Sequence, residues 1–208
     1  MELYDDVAYV YDGSLEGLLS AIFCAYAHHE DPCDVVVEGA FQPRLSQRIS
    51  RIETDVHAAQ RVRAGIQRTC GRQAFRAVLK ASLSGDEQAG TVAYRFVRYA
   101  MDEGGKSAVS NIAHPSVAPM HAIVRSVNQE CEHIRQFARF SHLKGNDMDL
   151  WFARIRPRDN VIPLVMEHFV ARFNIQPFLL YDEGRRLVGV YDGTSWYQAM
   201  PDADLFLD

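Results

Sequence analysis

Apolar residues recur with a helical period through the middle of the chain and with a two-residue period towards both ends. Residues 7–11 form a short apolar and aromatic run closed by Asp12-Gly13-Ser14, which predicts a buried strand and a turn. Leu15, Leu18, Leu19, Ile22, Phe23 and Tyr26 then share one helical face, with Ser14 or Asp12 as the cap and Asp31-Pro32 as the stop. Residues 34–37 and 48–54 read as two short extended pieces. From Asp55 the period is helical. Ala58, Ala59, Val62 and Ile66 point inward up to about Thr69, and Phe75, Val78, Leu79 and Leu83 do so over 72–83. Val92, Ala93, Phe96 and Val97 follow over 88–102, and after Pro115 Val117, Met120, Val124, Val127, Cys131 and Ile134 lie on one long seam.

The period then returns to two. Residues 136–142 and 149–156 predict a hairpin around Lys144-Gly145-Asn146-Asp147. A helix follows to about Phe173, capped by Asp159 or Asn160, because Pro163 fits only in a first turn. Residues 177–181 and 187–191 form a second hairpin across 182–185. The expected fold class is α+β. An antiparallel-dominated sheet joins the N-terminal strand to a C-terminal ββαββ array, and a helical segment is inserted at about 55–135 of a single domain, 1–208.

A length of 208 residues, 48% of them hydrophobic and 24% charged, excludes disordered and fibrous classes. No apolar run is long enough to span a bilayer, and the acidic start lacks a secretory n-region, so a cytoplasmic protein is expected. Cys24, Cys33, Cys70 and Cys131 are scattered and read as reduced thiols. The tightest donor grouping, Cys24, His28, His29 and Cys33, fits no common zinc spacing, so no metal and no cofactor is expected.

The net charge of −5 conceals a segregation: residues 1–41 carry nine acids and no Lys or Arg, whereas 42–80 carry nine bases against Glu53 and Asp55. Such a strip suits phosphate contacts, and arginine makes these in bidentate form. Arg61, Arg68, Arg72, Arg76 and Lys80 are its candidate nucleic-acid ligands, the last three spaced i, i+4, i+8. Pairing of the strip with the acidic N-terminal segment is the competing reading. Arg139 beside Phe137, and Arg154 and Arg156 beside Phe152, add a second candidate surface of mixed arginine and aromatic residues.

Nucleophile-elbow, P-loop, dinucleotide and zinc-protease motifs are missing. Two features remain. Three strands end in Tyr-Asp, at Asp12, Asp182 and Asp192, and carboxylates gathered at one sheet edge could hold a cation or tune one another for acid–base work. Asp is also an ordinary turn and cap residue, which needs no function. His168 and Arg172 lie one helical turn apart. The histidine reads either as a hydrogen-bonded core residue or as a catalyst that Arg172 orients.

Several stretches resemble one bacterial family. Tyr11-Asp12-Gly13-Ser14-Leu15-Glu16-Gly17-Leu18-Leu19 is similar to its opening Y-D-G-S-[FL]-E-G-[FL]-L, and Gln136-Phe137-Ala138-Arg139-Phe140 to its G-F-V-R-F. Asn160-Val161-Ile162-Pro163-Leu164 through His168-Phe169 to Arg172-Phe173 resembles N-V-L-P-L…H-F-x-x-R-[FL]. Tyr181-Asp182 and Arg186 through Val190-Tyr191-Asp192 resemble the closing I-x-D-x-x-R-G-x-A-V-Y-D. The chain departs from the family at Gln136, where glycine is usual, and at Glu132, where relatives often carry histidine. No role of that histidine passes to His133.

The family is described as DNA metabolism proteins of unknown function, encoded beside a radical-SAM protein and fused in longer relatives to a uracil-DNA-glycosylase-like domain. The resemblance implies an accessory DNA-associated protein with such a partner and weak DNA binding of its own. The glycosylase-like portion is not expected in a chain of this length. An enzyme built on Asp12, His168, Arg172, Asp182, Arg186 and Asp192 is the alternative, and a docking module without a site is the second.

Overall fold

The computed structural model describes residues 6–39, 42–144 and 149–201. The chain divides into two compact units, Met1–Arg125 and Ser126–Asp208. The division falls within a helix of twenty residues, Ala118–Phe137.

The first unit is built on three parallel strands in the order β2-β1-β3: β1 (Val7–Tyr11), β2 (Asp34–Val37) and β3 (Arg48–Arg51). Every residue of β1 is buried, as a central strand covered on both faces requires. Between β1 and β2 runs α1 (Leu15–His28), started by Ser14, whose hydroxyl accepts from Gly17 N at 2.8 Å. The helices α2 (Val56–Thr69) and α3 (Arg72–Ser82) follow, turning at Gly71 (φ +92°). Asp55 caps α2 through His57 N and Ala58 N. Next come α4 (Ala89–Asp102) and a single turn, α5 (Lys106–Val109). Thr91 of α4 exchanges hydrogen bonds with the Val35 backbone inside the core, which ties that helix to β2. The long helix Ala118–Phe137 is α6, and Val117, Met120, Val127, Cys131 and Ile134 along its seam are buried.

The second unit holds a five-stranded sheet in sequence order: β4 (Phe140–Lys144), β5 (Asp149–Ile155), β6 (Phe178–Asp182), β7 (Leu187–Tyr191) and β8 (Trp196–Ala199). Only β5 and β6 are parallel, because α7 (Ile162–Phe173) carries the chain from one to the other. Gly189 of β7 lets α7 approach. A Cβ there would lie 2.5 Å from Met166 Sδ and 3.0 Å from Ile162 Cγ2. Phe140, Phe169, Phe173, Phe178 and Tyr191 form the aromatic core on that face.

The α+β class, the central helices and the mostly antiparallel C-terminal sheet follow the sequence reading. Four details differ. The N-terminal strand pairs with β2 and β3 in a parallel sheet and, among the described residues, joins no C-terminal strand. Residues 136 and 137 complete α6, so the strand expected at 136–142 starts only at Phe140. Val161, whose side chain offers no acceptor, stands at the cap of α7 in place of Asp159 or Asn160. The short strand β8 extends the second hairpin. The turn expected at 145–147 lies outside the described residues.

Candidate nucleic-acid interface

The three Tyr-Asp ends are separate turns. Asp12 stands at the carboxyl end of β1, where Oδ1 accepts from Ser14 N (2.9 Å) and Ser14 Oγ (2.6 Å) and Oδ2 from Thr54 Oγ1 (2.8 Å). A Cβ on Gly17 would fall 2.2 Å from Asp12 Oδ1, so the carboxylate already occupies the anion position at the start of α1. Burial pushes this carboxyl up, but the bonds from Ser14 and Thr54 outweigh it and hold it below the usual range. A carboxyl depressed in this way is a poor proton donor near neutrality.

Asp182 is fully buried. It accepts from Gly184 N (3.0 Å), Arg185 N (3.3 Å) and Arg185 Nη1 (3.0 Å). The Arg185 guanidinium also donates to the carbonyls of Pro157 (3.0 Å) and Arg158, latching the loop before α7. Asp192 accepts from Thr194 N and Ser195 N, both at 2.8 Å, and these bonds lower its carboxyl value. In the β6–β7 register Asp182 lies beside Leu187 and Tyr191 beside Phe178. Asp182 and Asp192 therefore sit at opposite ends of the hairpin, roughly 15 Å apart along the strands.

His168 and Arg172 are one turn apart on α7, and both are exposed. The expectation of a core histidine is corrected here. The buried stripe of α7 is Ile162, Val165, Met166, Phe169 and Phe173, and steps of about 100° per residue put His168 on its flank. Its ring meets the edge of Phe169 at 5.2 Å, and Arg172 lies over Phe173 at 5.7 Å. Arg186 is exposed at φ +52° in the β6–β7 turn. These residues gather at no common centre in their unit, and Asp12 belongs to the other unit.

The second candidate surface is also divided. Arg139 lies in the link between α6 and β4 and shares no strand face with Phe137. Arg154 pairs with Glu183 at 3.3 Å, and Arg156 is exposed just beyond β5.

In the basic strip, the first three arginines are neutralised. The three parallel strands start side by side, which brings Asp6, Asp34 and the residues before β3 together. Arg44 Nη2 lies 3.0 Å from Asp6 Oδ1 and 2.6 Å from Asp34 Oδ2, and Gln47 Nε2 donates to both carboxylates. Arg48 pairs with Glu30 (2.6 Å) and Arg51 with Glu38 (3.4 Å). Cys33 donates to Asp6, and burial pushes this thiol up. Asp6, Cys33 and Asp34 thus bring three donor atoms within 4.8 Å, a grouping hidden in the sequence because its members precede or open different strands. The Arg44 guanidinium already supplies the positive charge there.

The remaining arginines are different. From 56 to 82 the chain contains five arginines and Lys80 but no acid, so neither α2 nor α3 can form an i, i+4 ion pair. Arg61, Arg63, Arg68, Arg72 and Arg76 are exposed, and among the described residues none has a carboxylate within ion-pair distance. Arg61 and Arg63 instead lie over aromatic rings, Phe23 at 4.9 Å and Phe75 at 5.1 Å. Lys80 is half-buried and engaged.

Residues 87–206 match a family described as a domain of unknown function, DUF4130. That is more than half of the chain. The protein belongs to the DUF4130 family. The family match covers α4 to β8 and therefore His168 and the Asp182 and Asp192 turns, whereas the arginines of α2 and α3 precede it. No curated protein matches the chain. No described helix is long and apolar enough to cross a membrane.

Proposed function

We propose that the protein is an accessory, nucleic-acid-associated factor of bacterial DNA metabolism, acting in the cytoplasm beside a radical-SAM or uracil-DNA-glycosylase-like partner. One observation carries the nucleic-acid part. Among the described residues, five exposed arginines on two acid-free helices have no carboxylate partner, although the chain as a whole is acidic. Unpaired guanidinium groups held on rigid helices suit phosphate oxygens, and phosphate contacts position a nucleic acid without reading its sequence. The partner rests on the motif resemblance alone. The scattered Tyr-Asp turns argue against an autonomous catalytic centre.

Binding should be weak and non-specific, with a Kd of roughly 10⁻⁴–10⁻⁶ M at physiological salt. Fluorescence anisotropy of a labelled oligonucleotide tests this. The triple variant Arg68→Glu, Arg72→Glu, Arg76→Glu should bind at least about tenfold more weakly than the parent at the same salt. Equal affinity of the two proteins would overturn the proposal.

A further inference from the structure

An open groove of about 410 Å³ runs between α1 and α2 and reaches Met101 of α4. Its walls are almost wholly apolar, with Phe23 and Tyr26 on one side and Val62 and Met101 on the other. Arg61 and Arg68 also line it, two turns apart on α2 and so separated by roughly 10 Å of helix rise. Neither has a carboxylate partner among the described residues. The nearby acid, Asp102, is held by Arg98 at 2.9 Å and by the Tyr26 hydroxyl at 3.4 Å.

The groove has a bare floor. Gly65 lies in the interior of α2, where glycine costs about 0.5–1 kcal/mol relative to alanine. Packing does not require it. An added Cβ would meet only Met101 Cε, at an ordinary contact distance of 3.6 Å. What a side chain would take away at this position is room in the groove. Ala64 beside it is exposed and carries only a methyl group.

A ligand matching these walls has a flat apolar body with an anionic group at each end. We propose that the groove takes one unstacked base of a single-stranded nucleic acid, with the phosphates on its two sides held by Arg61 and Arg68. A duplex cannot use the site, because its bases are paired and stacked, whereas an extruded base can enter the groove and stack on the planar Arg61 guanidinium that covers Phe23. The edge of that guanidinium stays free to donate to phosphate. This inference rests on the nucleic-acid reading above, and it adds a preference for single strands.

Anisotropy with a fluorescein-labelled single strand and its matched duplex separates the two claims. The parent should bind the single strand roughly tenfold more tightly than the duplex. Ala64→Leu, which fills the groove from an exposed position, should reduce single-strand affinity to the duplex level and leave duplex affinity unchanged. Gly65→Ala is the second probe. It should raise the melting temperature, because alanine favours the helix, while weakening single-strand binding. The pair Arg72→Glu, Arg76→Glu should weaken both substrates alike. Equal parent affinities for single strand and duplex, or single-strand binding unaffected by both groove variants, would overturn the groove site and leave the arginine face standing. No binding of either nucleic acid by the parent would overturn both.

Discussion

Arg44, Arg48 and Arg51 belong to the same basic run as Arg61, Arg63, Arg68, Arg72 and Arg76, yet the fold uses the two sets differently. The first set flanks or forms β3, a strand that lies parallel to β1 with its start beside Asp6, and each of its arginines meets a carboxylate. The second set stands on α2 and α3, which contain no acid and present the arginines outward. Charge density along the chain is similar for both sets. Topology decides which charges are consumed within the protein and which remain for a ligand. Paired arginines should therefore register in stability, and unpaired ones in binding.

The largest stability effect is expected where a paired arginine is most deeply engaged. Asp182→Ala removes a fully buried partner from Arg185 and frees the 157–158 carbonyls from their latch, at a cost of about 3 kcal/mol in urea unfolding. An unchanged midpoint would show that the Asp182–Arg185 pair does not hold the loop. Ser14→Ala should cost about 1 kcal/mol through loss of the α1 cap. Arg44→Ala should lower the unfolding midpoint by less than Ser14→Ala does, since both members of its Asp6 pair are substantially exposed. The double variant Arg72→Ala, Arg76→Ala should stay within about 0.5 kcal/mol of the parent. A larger loss in that variant than in Arg44→Ala would invert the comparison.

Acid should act on the hydrogen-bonded carboxylates. Asp12 and Glu30 have carboxyl values held below the ordinary 3.8 and 4.5, for Glu30 chiefly by the hydrogen bond from Tyr9 with Arg48 adding to it. A depressed carboxyl stabilises the fold above its unfolded value and loses that contribution as the pH falls through the folded one. Melting temperature should therefore drop on acidification below about pH 4.5. The drop should be smaller in the Asp12→Asn, Glu30→Gln double variant. The same acid sensitivity in both proteins would remove these two groups from the account.

The helices were legible because their buried faces repeat locally. Leu18, Leu19 and Ile22 in α1, and Ala93, Phe96 and Val97 in α4, are buried where a period of 3.6 puts them. Strand partnership was not legible, because the contacts that set it are distant in sequence. Nothing within Val7–Tyr11 distinguishes a neighbour at Asp34 from one in the C-terminal sheet. The strand β8 escaped notice because Trp196-Tyr197-Gln198-Ala199 is a short edge strand with its middle exposed. In the site region the basic run was visible, but its division into paired and unpaired arginines needs the positions of Asp6, Glu30, Asp34 and Glu38. Arg185 was overlooked beside Arg186, since adjacent turn arginines look alike until one is seen to reach Asp182.

Whether the α2–α3 arginines of the basic run, and not those around β3, are the ones available to phosphate is decided by the salt dependence of DNA binding in two triple variants. The slope of log affinity against log salt falls by about 0.7–0.9 for each phosphate contact removed. Replacing Arg68, Arg72 and Arg76 with Gln should flatten the slope by about two units and leave the melting temperature unchanged. Replacing Arg44, Arg48 and Arg51 with Gln should lower the melting temperature and leave the slope as it is in the parent. Equal slopes in the two variants, or a flatter slope in the second, would contradict the account.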